Sequence, residues 1–232
     1  MNSTAILENS KRRLASEGSS VRSGRTGARP KIASQNANGT NILCLVNAVR
    51  LITQSRLSKV VVRVQGELAR LGLWSDVARL PRTEVFWCAL PQLPLGAMGY
   101  FIHDAHPWMS LLGYRPGHIY IPAFTFVRRN ISDVIRHEYG HTLAHYQTAW
   151  VRRSRAFTAA FGGRYSLGRR PASVRRADCV SDYATTEPTE VFAETFVHFV
   201  RRAGRLPARA TAALRRKWDF IARLCEEMQA AR

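Results

Sequence analysis

The sequence predicts an α+β domain, and three observations predict it. Apolar residues recur at helical spacing between Leu57 and Leu71 and again in segments of the C-terminal half. Three intervening stretches, "TEVFWCAL" (83–90), "AMGYFIH" (97–103) and "GHIYIPAF" (117–124), are rich in aromatic and β-branched residues and sit among Pro and Gly. With 232 residues, 46% of them hydrophobic, the chain is long enough to bury one well-formed core.

Residues 1–40 contain no Phe, Tyr or Trp, are rich in Ser, Arg, Gly and Asn, and carry only Glu8 and Glu17 as acids. Such a segment buries little and reads as a disordered arm, leaving 41–232 as the folded domain. Leu57, Val60, Val61, Val64, Leu68 and Leu71 then line one helix face up to the Gly72-Leu73-Trp74 break. The three aromatic stretches predict short strands of a small, twisted, mostly antiparallel sheet. "RRNISDVIRHEYGHTLAHYQ" begins a helix, with Asn130 as N-cap and Asp133 three residues on. A Gly/Arg-rich connection spans 162–177. The next helix covers 189–200, has Pro188 in its first turn and Glu187 in solvent before it, and carries a stripe of Phe192, Phe196 and Phe199. A closing helix starts at about Ala208 and presents Leu214, Trp218, Ile221 and Cys225 on one face.

Composition excludes some classes and leaves others open. No run is apolar enough to span a bilayer, and no apolar stretch of secretory type follows the first basic residues. The expected location is therefore the cytoplasm, or the outside after export without a cleaved secretory signal, as for an effector. Cys44, Cys88, Cys179 and Cys225 lack the paired spacing of zinc ribbons and predict reduced, buried thiols. The net charge of +19 is almost all arginine, since only Lys11, Lys31, Lys59 and Lys217 are lysines. Clusters such as Arg152-Arg153, Arg175-Arg176 and Arg215-Arg216-Lys217 would draw in nucleic acid, an anionic membrane or an acidic substrate.

The chemistry concentrates in "RHEYGH" (136–141). On a helix, residues four apart are neighbours, so His137 and His141 can aim their imidazoles at one point. Glu138 then lies beside that point rather than on it, where it can take a proton from water. In a chain with seven histidines the pattern arises by chance on the order of once in a hundred sequences, so a third ligand is needed. His145 continues the same helix and points too far along its axis. His103 and His106, around Asp104 and just before Pro107, read as a loop, and His198 reads as structural. The segment "VSDYATTEPTEVFAETF" (180–196) places Glu190 and Glu194 on one helix face, either of which could reach the first helix.

His137-Glu138-Tyr139-Gly140-His141, followed by Tyr183, by Glu190 seven residues later and by Phe192-Ala193-Glu194, resembles the catalytic domain of the anthrax lethal factor type and a broad set of bacterial zinc metallopeptidases. The match covers 133–198. It implies a zincin-like (gluzincin) domain, with an active-site HExxH helix and a following glutamate-bearing helix. It also implies Zn2+ on His137, His141 and Glu190, Glu138 as the base, and Tyr183 facing the metal to assist the tetrahedral intermediate or leaving group. Glu194 is then an acceptor for a ligand imidazole. In such a family the strand before the metal helix forms the upper rim of the cleft. Alternation puts Ile119 and Ile121 inward and His118 and Tyr120 outward, where a peptide could pair as an added strand.

The expected function is a monomeric zinc-dependent metalloendopeptidase acting on a protein or peptide substrate. The competing expectation is a basic nucleic-acid-associated protein, or a DNA-associated protease, whose zinc site is mainly structural. The arginine clusters favour it, and no recognised DNA- or RNA-binding motif supports it.

Overall fold

The computed structural model describes residues 54–74, 83–88, 98–104, 109, 111, 113–122, 125, 130–165 and 175–230, all within the unit Val49–Arg232. The arm expected over 1–40 and most of the 162–177 connection lie outside the described residues. Helix α1 runs over 54–70, strands β1, β2 and β3 over Val85–Cys88, Tyr100–Phe101 and Ile119–Pro122, and helix α2 over Ile131–Tyr146. Helix α3 (Arg155–Phe161), 3-10 turns at Arg176–Asp178 and Tyr183–Thr185, α4 (Pro188–Arg201) and α5 (Ala212–Ala230) follow. The class is α+β. Among the described residues no helix is long and apolar enough to cross a membrane.

The sheet is mixed rather than mostly antiparallel. Its order is β1-β3-β2: β3 pairs parallel with β1, Val85 opposite Ile119 through Cys88 opposite Pro122, and antiparallel with β2, Phe101 opposite Ile119. A parallel pair needs a crossover of roughly a dozen residues or more, and the chain between β1 and β3 is long enough to supply it. Side chains alternate identically in both kinds of strand, so the pattern 83–124 does not reveal the pairing.

Ile119 and Ile121 are fully buried under the helices, as alternation requires. The opposite face is covered too: Tyr120 is 6% exposed and packs with Cys88, Ile102 and Tyr114. The helices close the main core from the other side. In α1, Leu57, Val64 and Leu68 are buried, and Val60, Val61 and Leu71 pack against them. The Phe192 ring lies 5.7 Å from Phe157 and 5.4 Å from Phe161, so α3 and α4 share one aromatic cluster that also takes in Phe220 of α5.

Polar contacts fix α1 to α2. Arg136, 7% exposed, is gripped by both oxygens of Glu67 at 2.8 and 2.9 Å. Asn130 caps α2 by accepting the Ser132 N–H at 3.1 Å, while Asp133 turns to Arg136 and Arg201. Helix α5 begins at Ala212, later than expected, because the Thr211 hydroxyl caps it by accepting the Leu214 N–H. Leu214, Trp218, Ile221 and Cys225 are buried as expected. Among the described cysteines, Cys88 and Cys225 are buried and Cys179 is half-buried, all three free.

Candidate metal centre

Helices α2 and α4 build the site by crossing closely. The crossing point is Gly140, where a Cβ would stand 3.2 Å from Phe196 Cδ1 and 3.3 Å from the Ala193 Cα. A glycine facing an alanine lets the two backbones approach. The buried Phe192 and Phe196 hold α4 against the core, so the next face of that helix, with Glu190 and Glu194, turns toward the histidines of α2.

There His137 Nε2 and His141 Nε2 lie 3.1 Å apart. Glu190 Oε2 is 3.1 Å from His137 Nε2, and Oε1 is 3.6 Å from His141 Nε2. The three side chains offer ligand atoms all within 4.8 Å of one another and could hold a metal ion. They fit such a guest on a second count. Glu190 Oε2 is buried and receives no hydrogen bond, although His137 Nε2 stands close to it. A buried carboxylate oxygen left without a donor costs free energy that a cation at the focus of the three atoms removes.

Each imidazole is oriented from its far nitrogen. His137 Nδ1 lies 2.9 Å from Glu194 Oε1, and the other oxygen of Glu194 accepts the Ser181 hydroxyl at 2.7 Å. Ser181 in turn accepts the Ala184 N–H at 3.1 Å, which ties Glu194 to the turn that carries Tyr183. His141 Nδ1 lies 2.9 Å from the Tyr165 hydroxyl. These outer contacts leave both Nε2 atoms facing inward.

Glu138 is 5% exposed, with the Phe101 N–H directed at its carboxylate. Burial, opposed by His137 and assisted by Glu190, pushes its carboxyl up to about 7. Burial alone would lower His137, but the carboxylates of Glu190 and Glu194 beside its two ring nitrogens outweigh that and raise it to about 10. For His141, burial and the neighbouring His137 act together and lower it to about 3. Against burial, both histidines hold Glu190 below the usual carboxylate range, and His137 and Ser181 do so for Glu194. Tyr183 is 56% exposed and stands 6.0 Å from the His137 ring. Burial of its hydroxyl, with Glu190 beside it, raises its pKa.

The structure thus brings together His137, Glu138, His141, Tyr183, Glu190 and Glu194, each expected from the sequence. It does not bring in the expected rim pair. Tyr120 points into the second cluster, and its hydroxyl accepts the Arg115 N–H at 2.8 Å. His118 accepts the Glu84 N–H on Nδ1 at 3.2 Å. Moreover β3 is the middle strand, flanked on both sides, so an added strand cannot pair along Ile119–Tyr120. The strand beside Glu138 is β2, an edge strand of the sheet among the described residues. Glu187 is half-buried and near the Thr189 hydroxyl, not in solvent. His145 is at the end of α2, its Nδ1 3.3 Å from that of His103, and is not one of the three side chains that could hold a metal.

Tyr165 and Ser181 were not singled out by the sequence. Tyr165 sits in the Gly/Arg-rich connection, 24 residues from the histidine it orients, and nothing local marks it. For Ser181 a weak signal exists: a small hydroxyl just before the "DYA" turn can bond a backbone N–H two or three residues on. Comparison with family models, with curated proteins and with solved structures finds no match to this chain.

Proposed function

We propose that this chain is a zinc-dependent metalloendopeptidase. The observation that carries the reading is the convergence of His137 Nε2, His141 Nε2 and the undonated Glu190 Oε2, with Glu138 buried beside them. Zinc–nitrogen bonds of about 2.0–2.1 Å in a tetrahedron set ligand-to-ligand edges of about 3.3 Å. The separations here are 3.1, 3.1 and 3.6 Å. Two imidazoles and one carboxylate, three protein ligands rather than four, suit zinc in a catalytic rather than a closed structural role.

Zinc, when bound, supplies a Lewis acid that lowers the pKa of water and polarises a carbonyl. The protein's own groups do the rest. Glu138, whose carboxyl is held near neutrality at about 7, is matched to accept a proton from attacking water and to pass it to the leaving amine. The Tyr183 hydroxyl, on a half-exposed side chain beside the His137 ring, can turn to donate to the carbonyl oxygen as it gains charge. Glu194 and Tyr165 hold the two ligand rings. Among the described residues β2 is an edge strand, with which an extended peptide can pair beside Glu138.

A second reading, a basic nucleic-acid-associated protein with a structural metal, is favoured by the net charge of +19. One experiment separates them: metal analysis of the purified protein and a proteome-wide search for new peptide termini, parent against Glu138→Gln. The peptidase reading expects one zinc per chain in both proteins and new termini with the parent alone. Absence of zinc, or identical termini in both, overturns it.

A further inference from the structure

Directly after α2 the chain forms a groove of about 540 Å³ lined by Arg152, Arg153, Arg155 and Arg164 with Ser154 and Thr158. All four arginines are exposed, and none takes part in the ion pairs formed among the described residues. The platform beneath them is rigid. Val151, Phe157 and Phe161 are at most 1% exposed, so one side of this turn and helix is locked into the core while the other presents guanidinium groups. Four like charges around one concavity repel one another, and the repulsion is relieved by an anion.

The groove adjoins the metal centre through the chain itself: Arg164, which lines it, directly precedes Tyr165, whose hydroxyl is 2.9 Å from His141 Nδ1. A polypeptide held beside His141 would therefore lie close to these guanidinium groups. Guanidinium forks match carboxylates two bonds at a time. Among the described residues no aromatic side chain lines the groove, so they offer no stacking platform of the kind single-stranded nucleic acid uses.

We propose that the Arg152–Arg155–Arg164 groove docks an acidic, Asp- or Glu-rich segment of the polypeptide substrate next to the cleavage site; the word substrate here rests on the peptidase reading above. The proposal makes this a protease selective for proteins with an acidic run on one side of the scissile bond.

The test uses the full 232-residue chain. In the Glu138→Gln background, binding of fluorescein-labelled octaglutamate is compared with octalysine and with an eight-nucleotide single strand. Arg152→Glu/Arg155→Glu is expected to weaken octaglutamate binding on the order of tenfold or more, and added salt to weaken it in the parent. Arg152→Gln/Arg155→Gln, which only removes charge, gives a smaller loss in the same direction, and Arg205→Glu/Arg209→Glu gives none. Equal octaglutamate binding by parent and groove variants overturns the proposal, as does tighter binding of the nucleic acid with loss in the same variants. With zinc-loaded parent, a peptide carrying an acidic run is expected to show a lower KM than the same peptide without it, at equal kcat, and the groove variant to lose that advantage. Cleavage indifferent to the acidic run overturns the docking. Groove-dependent octaglutamate binding without any cleavage overturns the peptidase reading and supports the docking.

Discussion

Glu194 Oε1 stands 2.9 Å from His137 Nδ1, on the side of the ring opposite the nitrogen that faces Glu190. The carboxylate fixes the tautomer and tilt of a candidate ligand without belonging to the group that could hold the metal. Removing such a partner typically lowers metal affinity about 10–100-fold. Glu194→Ala is therefore expected to bind zinc that much more weakly in a chelator competition while still reaching one ion per chain at saturation. Glu190→Ala, which deletes a ligand, is expected to lose more. Parent-like affinity in Glu194→Ala sinks this assignment.

Glu194 was legible because it follows Glu190 by one helical turn, and the same spacing rule gave His137 and His141. Local rules also gave the α2 cap at Asn130 and the phenylalanine stripe of α4. What spacing cannot give is set by partners distant in sequence. Tyr120 alternates outward as expected, yet Tyr114 and Cys88 cover it, so it is no rim. Tyr165 reaches His141 only because α3 folds back onto α4 through Phe157 and Phe192. The place of β3 between β1 and β2 depends on a crossover that side-chain alternation does not encode.

Gly99, just before β2, sets the position of Glu138. A Cβ there would lie 2.9 Å from Glu138 Oε1, 3.0 Å from its Cγ and 2.8 Å from Val134 Cγ1. Val134 is held on α2, so Gly99→Ala must displace either the strand or the carboxylate. Misplacement by about 1 Å can cost on the order of 100-fold in rate. Gly99→Ala is expected to keep its zinc and lose peptide hydrolysis to that extent, measured as kcat on a quenched peptide. Unchanged kcat would mean that Glu138 does not act from this position.

Gly140 tests the helix crossing. Alanine would improve α2 by up to about 1 kcal/mol of helix propensity. Against that, its methyl would press on Phe196 at 3.2 Å and on the Ala193 backbone at 3.3 Å, and the backbone cannot swing aside. Overpacking costs about 1–3 kcal/mol, so the net expectation for Gly140→Ala is a loss of roughly 1 kcal/mol and a Tm lower by about 2–4 °C. Zinc affinity should fall as well, since the α2–α4 separation sets the distance from the imidazoles to Glu190. A higher Tm with parent-like zinc binding contradicts the proposed role of this contact.

The His103–His145 pair makes the fold sensitive to acid. Their Nδ1 atoms are 3.3 Å apart, a distance at which one neutral ring donates to the other and two protonated rings repel. Burial first, then His145 and Arg152, lower His103 from 6.5 to about 4, with Asp104 opposing. Burial and Arg152 likewise lower His145, again against Asp104. The folded pKa is thus below the unfolded one, and between about 6.5 and 4 the unfolded chain binds protons that the native pair refuses. Stability from the neutral pair is present above about 6.5 and is lost as pH falls toward 4. Tm followed from pH 7.5 to 4.5 in the presence of a chelator is expected to fall more steeply for the parent than for His103→Phe. Carboxylates titrate alike in both proteins and cancel in the difference. Parallel curves would show that the ring pair carries no such linkage.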